Sequence, residues 1–187
     1  EIRLDPNPPL GDELRGLEAV LVLERIGFPE VPTVYPPAAQ ATFALGVLIR
    51  GWDWRGLRLL FLVIDLLVIL VLLQVQRALG VAPEWIVLYA WNPLVLKEVA
   101  NSAHLDVLLC LLLALLILVL TSSRRRLVTP MLTGTLLALL TLTKLYPLLL
   151  LPILAVWLYR RFHSVTSVLV CVPAHGLVGG AGYLPFL

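Results

Sequence analysis

Long apolar runs alternate with short polar breaks along most of this chain, from about residue 38 to its end. Several runs approach the roughly 20 residues that a helix needs to cross a bilayer. Seven segments fit: 38–49, 57–75, 85–100, 105–120, 127–143, 145–159 and 165–187. The first is short, and Asn92-Pro93 and Lys97-Glu98 interrupt the third, so either could enter a membrane and return on the same side. The pattern predicts an all-α, polytopic transmembrane helix bundle with six or seven membrane segments.

The first 36 residues differ from the rest because they are the only extended polar stretch. Closely spaced prolines make residues 5–9 a loop, since proline cannot donate a backbone hydrogen bond. Between 12 and 26, leucines recur at helical spacing among charged residues, which predicts either a surface helix or a helix lying on the membrane interface. We therefore divide the chain into an outer loop with an amphipathic interfacial helix (1–36) and a transmembrane bundle (37–187). Glu1 lies in a polar stretch and Leu187 in an apolar one, so we expect a bundle truncated at both ends.

Composition supports a membrane protein. The chain is 60% hydrophobic and 14% charged, whereas soluble domains carry about 25% charged residues. We expect the lipid bilayer as a partner and no nucleic acid. The two cysteines, Cys110 and Cys171, lie in apolar runs, where a thiol behaves as a small hydrophobe, so they predict neither a disulfide nor a metal framework.

Arginines indicate the orientation. Arg124–Arg126 and Arg160-Arg161 are the strongest basic clusters, and basic residues near span ends favour the cytoplasm. This places His104, Asp106 and Lys144 on the outer face. If segment 85–100 crosses completely, Arg77 is cytoplasmic and Arg50, Arg55 and Arg58 fall outside, against the rule. If either short segment is re-entrant, the count of crossings changes.

The candidate chemistry is concentrated between Asn92 and Asp106. Ionisable side chains inside a span cost about 2.5–3.5 kcal/mol on insertion scales and indicate function by default. On a regular helix Lys97, Asn101 and His104 would share one face. Lys144 and Tyr146 arrive at the same side of the membrane. The candidate substrate- and donor-binding residues are Tyr35, Lys97, Glu98, Asn101, His104, Asp106, Lys144 and Tyr146.

Structural explanations compete with the functional one. Lys97-Glu98 could be an interfacial ion pair and His104/Asp106 an ordinary helix cap, but three separate loops bring polar groups to one face. Asp65, in the middle of a span, suits an inward hydrogen bond or ion pair that fixes packing, with Lys144 or a residue of the missing part as candidate partners; the functional alternative is a buried acid near the site. His175 suits a core histidine with satisfied hydrogen bonds. No metal spacing is convincing, because a helix would put His104 and Asp106 on different faces.

Several short motifs occur in an order that resembles a known family. They are Thr33-Val-Tyr-Pro-Pro-Ala-Ala-Gln40, Phe61-Leu-Val-Ile-Asp65, Tyr89-Ala-Trp-Asn-Pro-Leu-Val-Leu-Lys-Glu98, Asn101-Ser-Ala-His-Leu-Asp106, Thr143-Lys-Leu-Tyr-Pro-Leu148 and Tyr183-Leu-Pro-Phe186. This order resembles the polytopic C-type-fold glycosyltransferases, specifically the bacterial mannosyltransferase-like members that use polyprenyl-phosphate sugars. The resemblance runs from about Thr33 to the end of the chain.

The resemblance implies an integral enzyme of the bacterial plasma membrane with an extracytoplasmic active site. It would transfer a hexose, with mannose as first candidate, from a polyprenyl-phosphate donor to a glycan or glycolipid acceptor. The catalytic acid of the family would lie upstream of Glu1, so we assign no catalytic residue here. No cofactor is certain, and a divalent metal stays open. The alternatives are a membrane transporter and a non-enzymatic membrane subunit.

Overall fold

The computed structural model describes residues 33–51, 53–122 and 125–186, and within these ranges the chain is entirely helical. The predicted interfacial helix at 12–26 lies outside the described residues. The α-helices are α1 (Pro37–Arg50), α2 (Trp54–Leu79), α3 (Val87–Ala90), α4 (Pro93–Val95), α5 (Asp106–Ser122), α6 (Val128–Thr143), α7 (Leu150–Phe162) and α8 (Val165–Tyr183). Short 3₁₀ turns cover Pro83–Ile86, Tyr146–Leu149 and Leu184–Phe186, and Leu96–Asn101 forms a π-helix.

Helices α1 and α2 form a tight hairpin. Gly51 makes the turn at a φ of 66°, where glycine is favoured, and the Asp53 carboxylate caps α2 by accepting from the Arg55 backbone N–H. Gly46 of α1 packs directly against Leu57 of α2. The two helices are therefore antiparallel.

Helices α5 and α6 form a second hairpin around a leucine core. Leu109, Leu112 and Leu116 pack with Leu137 and Leu140. Lys144, directly after α6, contacts Asp106 at the start of α5. These contacts bring the beginning of α5 and the end of α6 to one end of the bundle.

Helix α8 returns parallel to α6 and packs closely against it. Gly134 faces the backbone of Cys171, and Gly182 faces Leu142, so both helices run in the same direction. Between them, α7 runs the opposite way and meets the start of α8, where the Ser167 hydroxyl lies 3.3 Å from the Leu158 carbonyl oxygen.

We expect Gly134→Ala to destabilise the bundle by about 1–3 kcal/mol, because an added Cβ would overlap the Cys171 carbonyl oxygen and force α6 and α8 apart. Gly176→Ala is the matched control, since a Cβ at Gly176 meets nothing within 4 Å. Alanine is the better helix former, so the control should be neutral or up to about 1 kcal/mol more stable. Thermal unfolding of the full-length protein in detergent measures both, and equal midpoints would contradict the close approach.

The predicted segment 85–100 is not one helix. Pro83–Asn101, called the broken segment below, consists of a 3₁₀ turn, α3, α4 and the π-helix. The interruption at Asn92 has a local cause: a residue before proline is disfavoured in the helical region, and Asn92 has an extended ψ of 120°. Its side chain then caps the next turn by accepting from the Leu94 N–H at 2.9 Å. The predicted span at 145–159 is likewise divided, because a 3₁₀ turn containing Pro147 precedes α7.

The described helices have two chemically different ends. Tyr35, which precedes α1, lies near Lys144 at the end of α6, each of the helical hairpins is antiparallel, and α8 is parallel to α6. The end of α1, the start of α2, the α5–α6 connection and the α7–α8 connection therefore lie together. This end, called the arginine end below, carries seven arginines: Arg50, Arg55, Arg58, Arg125, Arg126, Arg160 and Arg161. The described acidic residues other than Asp53 lie elsewhere.

Two described helices are long and apolar enough to cross a membrane, α2 and α8. Helices α5 and α6 are shorter apolar helices. Only 22% of the most apolar 18-residue stretch of α2, and 17% of that of α8, is buried. The core helix of a soluble protein would be mostly buried, so these helices present apolar surface outward instead.

Candidate functional site

Five ionisable side chains meet at the end of the bundle opposite the arginines. The π-helix carries Lys97 and Glu98, a short loop carries His104, α5 begins with Asp106, and Lys144 follows α6. We call these five residues the charge cluster. They come from three separate parts of the chain, as the sequence predicts for this face.

Contacts within the charge cluster form a continuous series. The Lys97 Nζ lies 3.5 Å from Glu98 Oε1, and Glu98 Oε2 lies 3.4 Å from His104 Nε2. His104 Nδ1 lies 3.6 Å from Asp106 Oδ2, and the other Asp106 oxygen accepts a hydrogen bond from Lys144 Nζ. Each lysine is therefore paired with a carboxylate, and the imidazole lies between two carboxylates.

The backbone after the π-helix explains how His104 reaches Glu98. The Ser102 N–H donates to the Lys97 carbonyl oxygen at 3.0 Å, and the His104 N–H donates to the Glu98 carbonyl oxygen at 2.9 Å. Between them, Ala103 adopts a φ of 51°, a left-handed conformation that costs a non-glycine residue about 1–2 kcal/mol. The turn directs the chain back over Glu98. A strained, non-glycine turn beside a π-helix is the kind of local irregularity often found at functional sites.

Two sequence-based expectations about these residues are wrong. Lys97, Asn101 and His104 do not share one helical face, because the helix ends at Asn101 and its wider π-geometry changes the spacing. Asn101 is exposed and takes no part in the contacts of the charge cluster. His104 and Asp106 approach each other because His104 precedes α5 rather than lying on it.

Two tyrosines border the charge cluster near Lys144. Tyr35 precedes α1 and packs edge-on against Phe43 with ring centroids 5.3 Å apart, and Tyr146 follows Lys144 with an exposed ring. Both lie close enough to Lys144 to affect its charge. The hydrogen bond to Asp106 raises the pKa of Lys144, partial burial opposes this, and the Asp106 charge and the two tyrosines raise the pKa further.

We expect Lys144 to keep its proton to higher pH than a free lysine, whose pKa is about 10.4. Because folding raises this pKa, the pair stabilises the fold fully below the unfolded value and ceases to do so as the pH rises through the folded value. Competitive labelling of amines, read by mass spectrometry across an alkaline pH series, measures the titration. Asp106→Asn should lower the midpoint, and an unchanged midpoint would show that the contact does not form.

Asp65 has a partner that the sequence did not suggest. The Tyr89 hydroxyl of α3 donates to Asp65 Oδ1 at 2.7 Å, and Lys144 pairs with Asp106 instead. Tyr89 lies within the motif that carries the resemblance, but nothing in its spacing relates it to Asp65, 24 residues earlier. The sequence thus predicts that Asp65 has a hydrogen-bond partner, but it does not identify the donor.

His175 differs from the expected core histidine. Its side chain is buried on α8, and neither ring nitrogen has a hydrogen-bond partner among the described residues. Within the same ranges, no group of three or more His, Cys, Asp or Glu side chains is arranged to hold a metal ion.

The site can act chemically in two ways. Its lysines can hold an anion if that anion replaces a carboxylate, and its imidazole and carboxylates can bind hydroxyl groups. Both lysines are already paired with a carboxylate, so a ligand must exchange with existing ion pairs. The chain matches no protein-family model, no curated protein and no solved structure in the comparisons made.

Proposed function

We propose that this chain belongs to an integral membrane glycosyltransferase that moves a hexose, with mannose as first candidate, from a polyprenyl-phosphate donor to a glycan or glycolipid acceptor. One observation carries the proposal: the charge cluster lies at the end of the bundle opposite seven arginines. The order of motifs in the sequence suggests the specific reaction, and the charge cluster is compatible with it.

Membrane insertion is supported by the outward apolar surface. Residues such as Leu66, Leu70 and Leu177 are more than half exposed on helices long enough to span a bilayer. Exposing such surface to water is unfavourable by roughly 25 cal/mol per Å². Lipid removes this cost along the apolar stretches of α2 and α8.

The orientation follows from the arginines. Basic residues near span ends favour the cytoplasm, so the arginine end faces inward and the charge cluster faces the extracytoplasmic side. The broken segment begins and ends at the charge-cluster end of the bundle, so Arg50, Arg55 and Arg58 lie with the other arginines. Arg77, in the last turn of α2, then lies on the outer side, so this arrangement places seven described arginines according to the positive-inside rule and one against it.

Transfer would proceed by displacement at the sugar C1. The acceptor oxygen forms a bond to C1, the bond from C1 to the phosphate oxygen breaks, and polyprenyl phosphate leaves with the electron pair. The acceptor proton passes to a base, which the family resemblance places upstream of Glu1. The phosphate replaces Asp106 as the partner of Lys144, and Lys144 then stabilises the departing phosphate, since fixed cations are most effective where charge develops. His104 and Asp106 bind hydroxyls, and Tyr35 offers a ring on which a sugar can stack.

A reconstituted assay tests the proposal. The full-length protein in liposomes receives polyprenyl-phosphate mannose labelled in the sugar, together with glycan or glycolipid acceptors from bacterial membranes. We expect labelled acceptor that requires both the protein and the lipid donor. Labelled product from a nucleotide sugar alone, or no product with any hexosyl donor and acceptor, would count against the proposal.

A transporter is the second candidate, and the broken segment favours it. Helices interrupted within the membrane, as at Asn92-Pro93, form substrate sites in many transporters. The same liposomes can be loaded with labelled sugars or ions. Protein-dependent flux without glycosyl transfer would support transport instead.

A further inference from the structure

The broken segment has little within itself to fix its position. Its four pieces contain 4, 4, 3 and 6 residues, whereas isolated helices shorter than about 12–15 residues are marginal. Val99 is its only buried residue, and most of the others are exposed. The segment nevertheless carries Lys97 and Glu98, so something outside it must hold these two residues in place.

One polar contact joins the broken segment to α2. Among the residues that the structure describes, the bond from the Tyr89 hydroxyl to Asp65 Oδ1 is the only side-chain hydrogen bond or ion pair between them. Asp65 lies eleven residues into α2, between apolar neighbours, and is half-buried. A carboxylate in such surroundings gains from a donor that reaches it, because unpaired buried polar groups are costly.

This bond lies close to the charge cluster. Ile64 and Val68, on either side of Asp65, belong to a packed group that also contains Val99 and Val107. Val99 follows Glu98, and Val107 follows Asp106. Tyr89 itself packs against the same group. Contiguous side chains thus connect Tyr89 with the residues next to both carboxylates.

We propose that Tyr89 and Asp65 are positioning residues: their hydrogen bond anchors the broken segment on α2 and so holds Glu98 against His104. The role requires a hydrogen-bond acceptor at position 65 rather than a negative charge. Asp65→Asn keeps an acceptor oxygen, Asp65→Ala removes it, and Tyr89→Phe removes the donor with almost no change in volume. Tyr159→Phe, on an exposed tyrosine of α7, is the matched control.

The first test measures position directly and does not depend on the proposed function. Spin labels at Leu94 and Leu149, both well exposed and outside the charge cluster, report the distance between the broken segment and the turn after Lys144. The protein is full-length, with Cys110 and Cys171 replaced. We expect Tyr89→Phe and Asp65→Ala to broaden or shift the distance distribution. Asp65→Asn and Tyr159→Phe should leave it as in the parent.

The second test measures transfer, and this readout rests on the proposed function. Loss of one side-chain hydrogen bond corresponds to a change of up to about tenfold, so we expect about a tenfold loss in transfer for Tyr89→Phe and Asp65→Ala. Asp65→Asn should keep most of the activity. Unchanged distances in Tyr89→Phe would overturn the inference, and so would an Asp65→Asn variant as impaired as Asp65→Ala. If distances respond as expected but the parent transfers no sugar, the positioning role stands and the glycosyltransferase proposal fails.

Discussion

Replacing Lys144 by alanine should lower glycosyl transfer by a factor of about 100 or more while the protein stays folded. The loss follows from removing a fixed cation at the departing phosphate, for which single-group effects of about 10²–10³ are typical. The fold should survive because the Lys144 and Asp106 side chains are 31% and 49% exposed, and pairs with this much solvent contribute about 0–1 kcal/mol. Transfer by the reconstituted full-length protein and its thermal midpoint are the two measurements.

Two further variants test whether the loss in Lys144→Ala reflects a role in the reaction, a general loss of positive charge, or the loss of an ion pair between helices. Arg161→Ala removes one exposed positive charge at the arginine end and should leave transfer unchanged. The exchange of Lys144→Asp with Asp106→Lys keeps an ion pair between the ends of α5 and α6 but moves the cation. If this exchange restores transfer, the pair serves only to join the helices, and Lys144 does not belong to the reaction.

Single cysteines at the two ends of the bundle should be labelled from opposite sides of the membrane. In a background without Cys110 and Cys171, a membrane-impermeant maleimide should modify Tyr146→Cys in intact cells. It should reach Arg125→Cys and Arg161→Cys only after the membrane is opened. The physical reason is the preference of basic span ends for the cytoplasm. In intact cells we expect nearly complete labelling of Tyr146→Cys and almost no labelling of Arg125→Cys and Arg161→Cys.

Arg55→Cys adds a test that depends on the broken segment. Arg55 is exposed at the start of α2, and it should be protected in intact cells together with Arg125. A segment that crossed the membrane completely would place it outside. If the reagent labels both Arg55→Cys and Arg125→Cys from outside, the proposed orientation is the reverse of the true one. If it labels only Arg55→Cys from outside, residues 83–101 cross the membrane completely.

The sequence predicts the helices better than it predicts the site. Periodicity and apolar length locate α2, α5, α6 and α8 within a few residues, because continuous apolar helices depend on local composition. The broken segment has the same apolar content, and its interruption depends on Asn92, whose restricted backbone and side-chain cap act together. Asn92-Pro93 marks the position of the break, but not how far the chain turns there.

Contacts of the charge cluster depend on features with no sequence periodicity. Ala103 gives no sign of its left-handed backbone, since alanine is otherwise a strong helix former. Without that turn, His104 would follow the helical spacing expected for it and would miss Glu98. The pairing of Tyr89 with Asp65 likewise results from the way the broken segment folds back along α2, which only the tertiary structure defines.

Unequal helix lengths have a consequence for access. Helix α5 has 17 residues and rises about 25 Å, whereas α2 has 26 residues and rises about 39 Å. A bilayer has a hydrocarbon thickness of about 30 Å. If the arginine end lies at the inner surface, as proposed, Asp106 would lie below the outer headgroups, while the end of α2 would extend past them. In that arrangement a lipid-linked sugar in the outer leaflet would reach Asp106 by lateral diffusion, whereas a water-soluble sugar nucleotide would have to enter the membrane.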